Sequence, residues 1–241
     1  RLPARDAAMG TDEEPASDDS DGPRTLRVHH EEVEPTDVDS TPRVNTFDIE
    51  VDDRSGFPED GEEPIVCLTS HDSYDDEYIL WLFYPPEGET PPETIPGYDP
   101  IWVDDPAADR SLDYEIRSFA TEEAMLEAFL DYFEETDPDV MTGWNFTDFD
   151  APYLIDRLDV LADRGDTDHD LSYDRLSRVD EVWRSDWRGP DVKGRVVFDL
   201  LYAYQRTKFT ELDSYRLDDV GERELGVGKE RYAGDIGDLW E

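Results

Sequence analysis

The chain has 241 residues, 65 acidic against 22 basic for a net charge of −43, and is 37% hydrophobic and 12% aromatic. That is enough apolar material for one large domain with a packed core, and acids spread through periodic apolar segments exclude a disordered chain or a simple acidic tail. Self-repulsion on this scale strains a compact fold in dilute buffer but is screened in molar salt, where the Debye length is about 3 Å, so the composition points to a halophile.

Residues 1–42, including "TDEEPASDDSDGPR", are small, acidic and Pro-rich with almost no apolar periodicity. They read as an acidic arm or the remnant of a preceding N-terminal domain, with a single domain over 43–241. A first residue of Arg and not Met suggests a piece of a longer chain. From Val44 the text turns to strands: "VNTFDIEV" (44–51), "PIVCLTSH" (64–71) and "EYILWLFY" (77–84), separated by the turn chemistry of "DDRSGFPEDGEE" and "DSYDD". Three strands with short connections predict an antiparallel meander. The single cysteine, Cys67, excludes an intrachain disulfide and suits a core position in a reducing cytosol. The longest apolar run, "YILWLFY", is too short to cross a bilayer, so a cytoplasmic protein without a membrane partner is expected.

"PPEGETPPETIPGYDP" (85–100) reads as a surface loop. "TEEAMLEAFLDYFEET" (121–136) opens on a Thr cap with acids in its first turn and places Met125, Ala128, Phe129, Tyr132 and Phe133 on one side of a helix. "DPDVMTGWN" follows as a turn and a short buried strand, and "APYLIDRLDVLADRG" (151–165) as a second helix with Pro152 in its first turn and Gly165 past its end. "GRVVFDLLYAY" (194–204) reads as another apolar strand and "SYRLDDVGERELG" (214–226) as another capped helix. A meander followed by alternating helix and strand describes an α/β mixed sheet flanked by helices, the order of the ribonuclease-H-like architecture.

Within the first strand, residues two apart share a face, so Asp48 and Glu50 lie with Thr46 while Phe47, Ile49 and Val51 point the other way. Two like charges on a partly desolvated face need a positive partner, and hard cations such as Mg²⁺ or Mn²⁺ prefer carboxylate oxygens. Taken alone, the same stretch is equally a solvated strand face. In "GWNFTDFDAPYL" a strand end feeds a helix start, a common place for function in α/β sheets. Asp150 there is either a helix cap or a metal ligand. Asn145 is either a turn residue or a hydrogen-bonding group for a ligand, and Phe149 either a core anchor or a stacking platform for a nucleobase.

"FDIE" followed about a hundred residues later by Asn145, Phe149 and Asp150 resembles the first two exonuclease motifs of archaeal family B DNA polymerases. "DPDVMTGWNFTDFDAPYLIDRL", "GRVVFDLLYAY" and "SYRLDDVGERELG" resemble their counterparts in order and spacing, from about Val44 to Glu241. The resemblance implies a proofreading 3′→5′ exonuclease domain of ribonuclease-H-like fold that hydrolyses the end of single-stranded or frayed primer DNA with two divalent ions, Mg²⁺ or Mn²⁺. Its implied partners are a single-stranded DNA 3′ end, the rest of the polymerase chain and, through the parent enzyme, a sliding clamp. It makes Asp48 the acid shared between metals, Glu50 a ligand of the tighter metal and Asp150 the support of the second, with Asn145 and Phe149 on the primer end. The family's third motif, Tyr-x-x-x-Asp, is matched literally by Tyr215 and Asp219, yet their flanks resemble the helix that precedes that motif. The expectation is a helix start for Tyr215, a solvated helix face for Asp219, and a chain that stops short of its own third motif with little activity alone.

Asp199, an acid inside an apolar strand, is expected to make a buried hydrogen bond, and Trp183 and Trp187 are either a surface near nucleic acid or a packed hairpin. Outside the polymerase reading, a non-catalytic binding domain of the same fold and a free-standing carboxylate exonuclease remain as alternatives.

Overall fold

The computed structural model describes residues 29–32, 34, 37, 39–52, 56, 58, 60–83, 114–165, 167–185, 189–208 and 211–226. The chain divides into two units, Arg1–Thr41 and Pro42–Glu241. In the first, the described regular structure is one 3-10 turn, His30–Glu32. The expected loop over 85–100 and Trp187 lie outside the described residues.

The second unit is built on a strand whose alternation sets everything else. In β1 (Val44–Val51) Phe47, Ile49 and Val51 are buried while Asp48 is exposed and Glu50 half-buried. β2 (Ile65–Asp72) and β3 (Glu77–Phe83) complete an antiparallel meander. Its hairpin turn is held by the Asp72 carboxylate, which accepts from the Tyr74 and Asp75 amides at 3.0 and 3.1 Å. β4 (Tyr114–Phe119), to which the sequence reading assigned no element, runs parallel to β3 at the sheet edge.

Helix α1 (Glu122–Thr136) starts as expected, with the Thr121 side chain accepting from the Ala124 amide at 3.2 Å. It ends at Asp137, whose left-handed backbone lets its amide reach the Phe133 carbonyl. Met125, Phe129, Tyr132 and Phe133 are buried, and Ala128 packs on the core. β5 (Val140–Gly143) lies parallel to β1, and α2 (Asp150–Arg164) closes on Gly165. A two-stranded ribbon, β6 (Val182–Trp183) with β7 (Asp191–Val192), precedes β8 (Val196–Asp199), which is parallel to β5. The apolar run 194–204 is therefore not one strand: it breaks at Asp199, whose carboxylate accepts from the Leu201 amide at 2.8 Å and caps α3 (Leu200–Thr207). α4 (Leu217–Leu225) ends on Gly226 and has no side-chain cap at its start.

The sheet order is β4-β3-β2-β1-β5-β8, antiparallel in the meander and parallel on both flanks, an α/β mixed sheet consistent with the ribonuclease-H-like fold. α1 packs on β2, β3 and β4, and α2 on β1. Between them the Phe47 ring meets Phe129 edge-on at 5.4 Å and Phe146 at 4.7 Å. Trp81, fully buried, satisfies its indole by donating to the Ser70 hydroxyl at 2.9 Å.

Candidate active site

β1 pairs with β5 only over Val44–Thr46, so its last residues run beyond the end of β5 and leave amides on that side without a ladder partner. The α2 start fills this gap. The Asp150 carboxylate accepts from the Ile49 amide at 3.1 Å, which places it beside the strand that carries Asp48 and Glu50. Phe149, not Asp150, is the residue at the cap position, and no side chain caps that helix. The helix-cap alternative for Asp150 is thereby set aside.

The acids feel one another. Asp150 is 3% exposed, and burial, then the Asp48 charge and also that of Asp199, push its pKa up to about 7 against the opposing pull of the Ile49 amide. Cys67, paired with Glu50 across β1 and β2, has its thiol pushed up to about 12 by burial and then by the charges of Glu50 and Asp48. A buried carboxyl at the edge of ionisation, beside two further acids, suits a hard divalent cation in kind: carboxylates are its preferred donors, and its charge would offset their repulsion. Among the described residues, no group of three or more His, Cys, Asp or Glu side chains stands close enough to hold a metal alone. A divalent ion here would complete its shell with water or phosphate oxygens, as Mg²⁺ commonly does.

The connection from β5 to α2 is tight because the backbones nearly touch. A Cβ at Gly143 would lie 2.7 Å from the Phe47 carbonyl oxygen and 2.8 Å from the Phe146 ring. Asn145 takes a left-handed backbone (φ 60) and its own carbonyl accepts from the Asp148 and Phe149 amides, so the turn is held by main chain and not by an Asx side chain. Phe146, which the sequence reading did not single out, is the fully buried anchor. Phe149 is only partly buried, stacks on Tyr153 with ring centroids 5.6 Å apart, and lines a surface cavity of about 220 Å³ with Pro152 and Asp156.

Tyr215 and Asp219 stand differently. The Tyr215 hydroxyl accepts from the Leu212 amide and its carbonyl accepts from the Trp144 indole at 3.0 Å, while Asp219 is exposed in the first turn of α4. Trp183 is exposed under the Lys193 ammonium, 3.7 Å from the ring centre. A cavity of about 440 Å³ beside it is lined by Arg184 and Arg195, but these arginines already pair with Asp159 and Asp137. Thr147, Asp148 and Tyr202, near the loop, were missed, since their contacts span dozens of residues and leave no local pattern. Among the described residues no helix is long and apolar enough to cross a membrane.

Comparison with known proteins places residues 20–220 in the family described as DNA polymerase family B, exonuclease domain. The chain is 33% identical over 208 residues to a DNA-directed DNA polymerase of Escherichia phage RB69, covering 83% of this chain and 23% of that protein. It is 33% identical over 208 residues to the DNA polymerase delta catalytic subunit of Oryza sativa subsp. japonica (78% of this chain, 16% of the relative). It is 30% identical over 209 residues to a DNA polymerase of Desulfurococcus sp. strain Tok (86% and 22%). The chain thus spans less than a quarter of the length of these curated relatives.

Proposed function

The chain belongs to the exonuclease domain family of family B DNA polymerases, and from that premise we propose that it is the proofreading part of a longer polymerase, removing nucleotides 3′→5′ from single-stranded or frayed primer ends. The observation that carries the reading is the buried Asp150 carboxylate tied to the Ile49 amide at 3.1 Å, beside the strand that bears Asp48 and Glu50. We assign Asp48, Glu50 and Asp150 to holding two divalent ions, Mg²⁺ or Mn²⁺. When bound, such a pair neutralises charge on the phosphoryl group, lowers the pKa of an attacking water and stabilises the departing 3′ oxygen.

The protein's own groups do the placing. Asp48 and Glu50 hold fixed positions because β1 is flanked by β2 and β5 in the sheet, and Asp150 because its oxygen is tied to the Ile49 amide. Asn145, at φ 60 in the turn between β5 and α2, is assigned to the primer end. Phe149, braced by Tyr153, offers a ring for a base to stack on, a contact that tolerates any sequence. A surface with net charge −43 contributes little counterion release, so binding leans on metal ions, stacking and hydrogen bonds. We take residues 1–42 as an acidic arm or the remnant of an N-terminal domain, the source as a haloarchaeon, the location as the cytoplasm, and a sliding clamp as a partner through the parent enzyme.

A second reading, a non-catalytic nucleic-acid-binding domain of the same fold, draws on the lack of a three-ligand metal group among the described residues. The two separate in the parent polymerase carrying Asp48→Ala with Glu50→Ala. Proofreading predicts that a mismatched 3′ nucleotide is no longer removed while a matched primer is extended at the unaltered rate. Equal mismatch removal by variant and unaltered enzyme would leave the binding-domain reading standing.

A further inference from the structure

We infer that Asp199 is a positioning residue for this site, a carboxylate that holds the loop from Asn145 to Asp150 against the sheet; the inference rests on the nuclease reading above. Asp199 is 4% exposed at the end of β8. One oxygen accepts from both the amide and the hydroxyl of Thr147, at 2.8 and 2.9 Å. The other accepts from the Leu201 amide at 2.8 Å. Capping α3 needs only the Leu201 bond. The two bonds to Thr147 do nothing for that helix and instead bind a residue 52 positions away, midway between Asn145 and Asp150.

Thr147 is also confined from its other side. Gly189 adopts φ +70°, and a Cβ there would stand 2.7 Å from the Thr147 Cβ and 2.8 Å from its carbonyl oxygen. The loop is thus held between a carboxylate and bare backbone. Next along, the Tyr202 hydroxyl on α3 donates to the Asp148 carboxylate at 2.6 Å. Two consecutive loop residues are therefore gripped by the segment that Asp199 starts. Asp150 can reach the Ile49 amide only while this loop keeps its course, so the charge that fixes the loop also fixes the third acid of the site.

The test uses this chain in molar KCl with Asp199→Asn, Thr147→Val and Thr147→Ser. Asn can keep an oxygen on Leu201 but then turns its amino group towards the Thr147 amide. Val keeps the shape and loses one bond, leaving the α3 cap untouched, and Ser keeps both. Hydrogen exchange across 144–150 should quicken at least about tenfold in Asp199→Asn and less in Thr147→Val, with β2 and α1 unaltered and Thr147→Ser at the original rate. Mn²⁺ affinity, with Asp48→Ala as the non-binding control, should fall roughly tenfold in Asp199→Asn, fall by less in Thr147→Val and keep its original value in Thr147→Ser. Original exchange in both Asp199→Asn and Thr147→Val overturns the proposal, as does a general loosening in Asp199→Asn with Thr147→Val unchanged. Mn²⁺ binding that ignores Asp48→Ala would sink the metal reading instead, while exchange still decides the clamp.

Discussion

Asp48 and Asp150 lie within one another's field, and each charge raises the cost of the other. Asp48 is exposed and its charge works against the buried Asp150, so Asp48→Ala should not lower stability. In the parent enzyme the same change should lower 3′ cleavage at least about a hundredfold, since it removes a proposed ligand; unfolding curves and cleavage rates on one preparation separate the two effects. Asp72 behaves in the opposite way. Burial alone would raise its pKa, but the Arg43 guanidinium at 2.7 Å and the Asp75 and Tyr74 amides hold it below the usual carboxylate range. A depressed folded pKa gives stability that is complete above the unfolded value of about 3.9 and is lost as pH falls through the folded value. Asp72→Asn should therefore destabilise by about 1–3 kcal/mol at pH 7. Urea titrations should show that deficit shrinking as the pH is lowered below about 3.9. The separation of Asp48 and Glu50 from Phe47 and Ile49 is legible in the sequence because a strand has period two. The bond from Asp150 to Ile49 is not, since it depends on β5 ending where β1 continues.

Among the elements, those with a strong period were the readable ones: the meander, α1 and α2 stand where their apolar spacing puts them. β4 escaped because an edge strand is half-exposed and its sequence, Tyr114–Phe119, is broken by Glu115 and Arg117, which pair with each other at 2.9 and 3.0 Å. The β8–α3 boundary escaped because a short apolar run has no period that tells strand from helix, and the break comes from one buried carboxylate. Where elements meet, two contacts should prove costly to disturb. Gly143→Ala presses a methyl into the Phe47 carbonyl and should destabilise by about 1–3 kcal/mol. Arg157 and Glu122, 3% and 5% exposed, pair at 2.5 Å, and Arg157 also donates to the Gly61 and Glu62 carbonyls. Arg157→Leu leaves the buried Glu122 charge unpaired, for an expected loss of about 3–5 kcal/mol in denaturant unfolding.

On the scale of the whole molecule, a charge of −43 on 241 residues makes salt part of the stability. The unfolding midpoint should climb as KCl is raised from about 0.1 M towards molar concentrations, where screening shortens the Debye length from about 10 to 3 Å. Fold class could be read from the order of elements, and family from the two acid motifs with the segments around them; the seat of Asp150 on the Ile49 amide came only from the packing of α2 against β1. The central claim, that these acids form a nuclease site, is tested most directly by Mg²⁺- or Mn²⁺-dependent degradation of a 5′-labelled single-stranded oligonucleotide in molar KCl. The protein should be the longer polymerase proposed above, with Asp48→Ala alongside. A ladder shortening from the 3′ end, lost without metal and lost in Asp48→Ala, is the expected result; cleavage that persists in Asp48→Ala, or none at all by the unaltered protein, would contradict it.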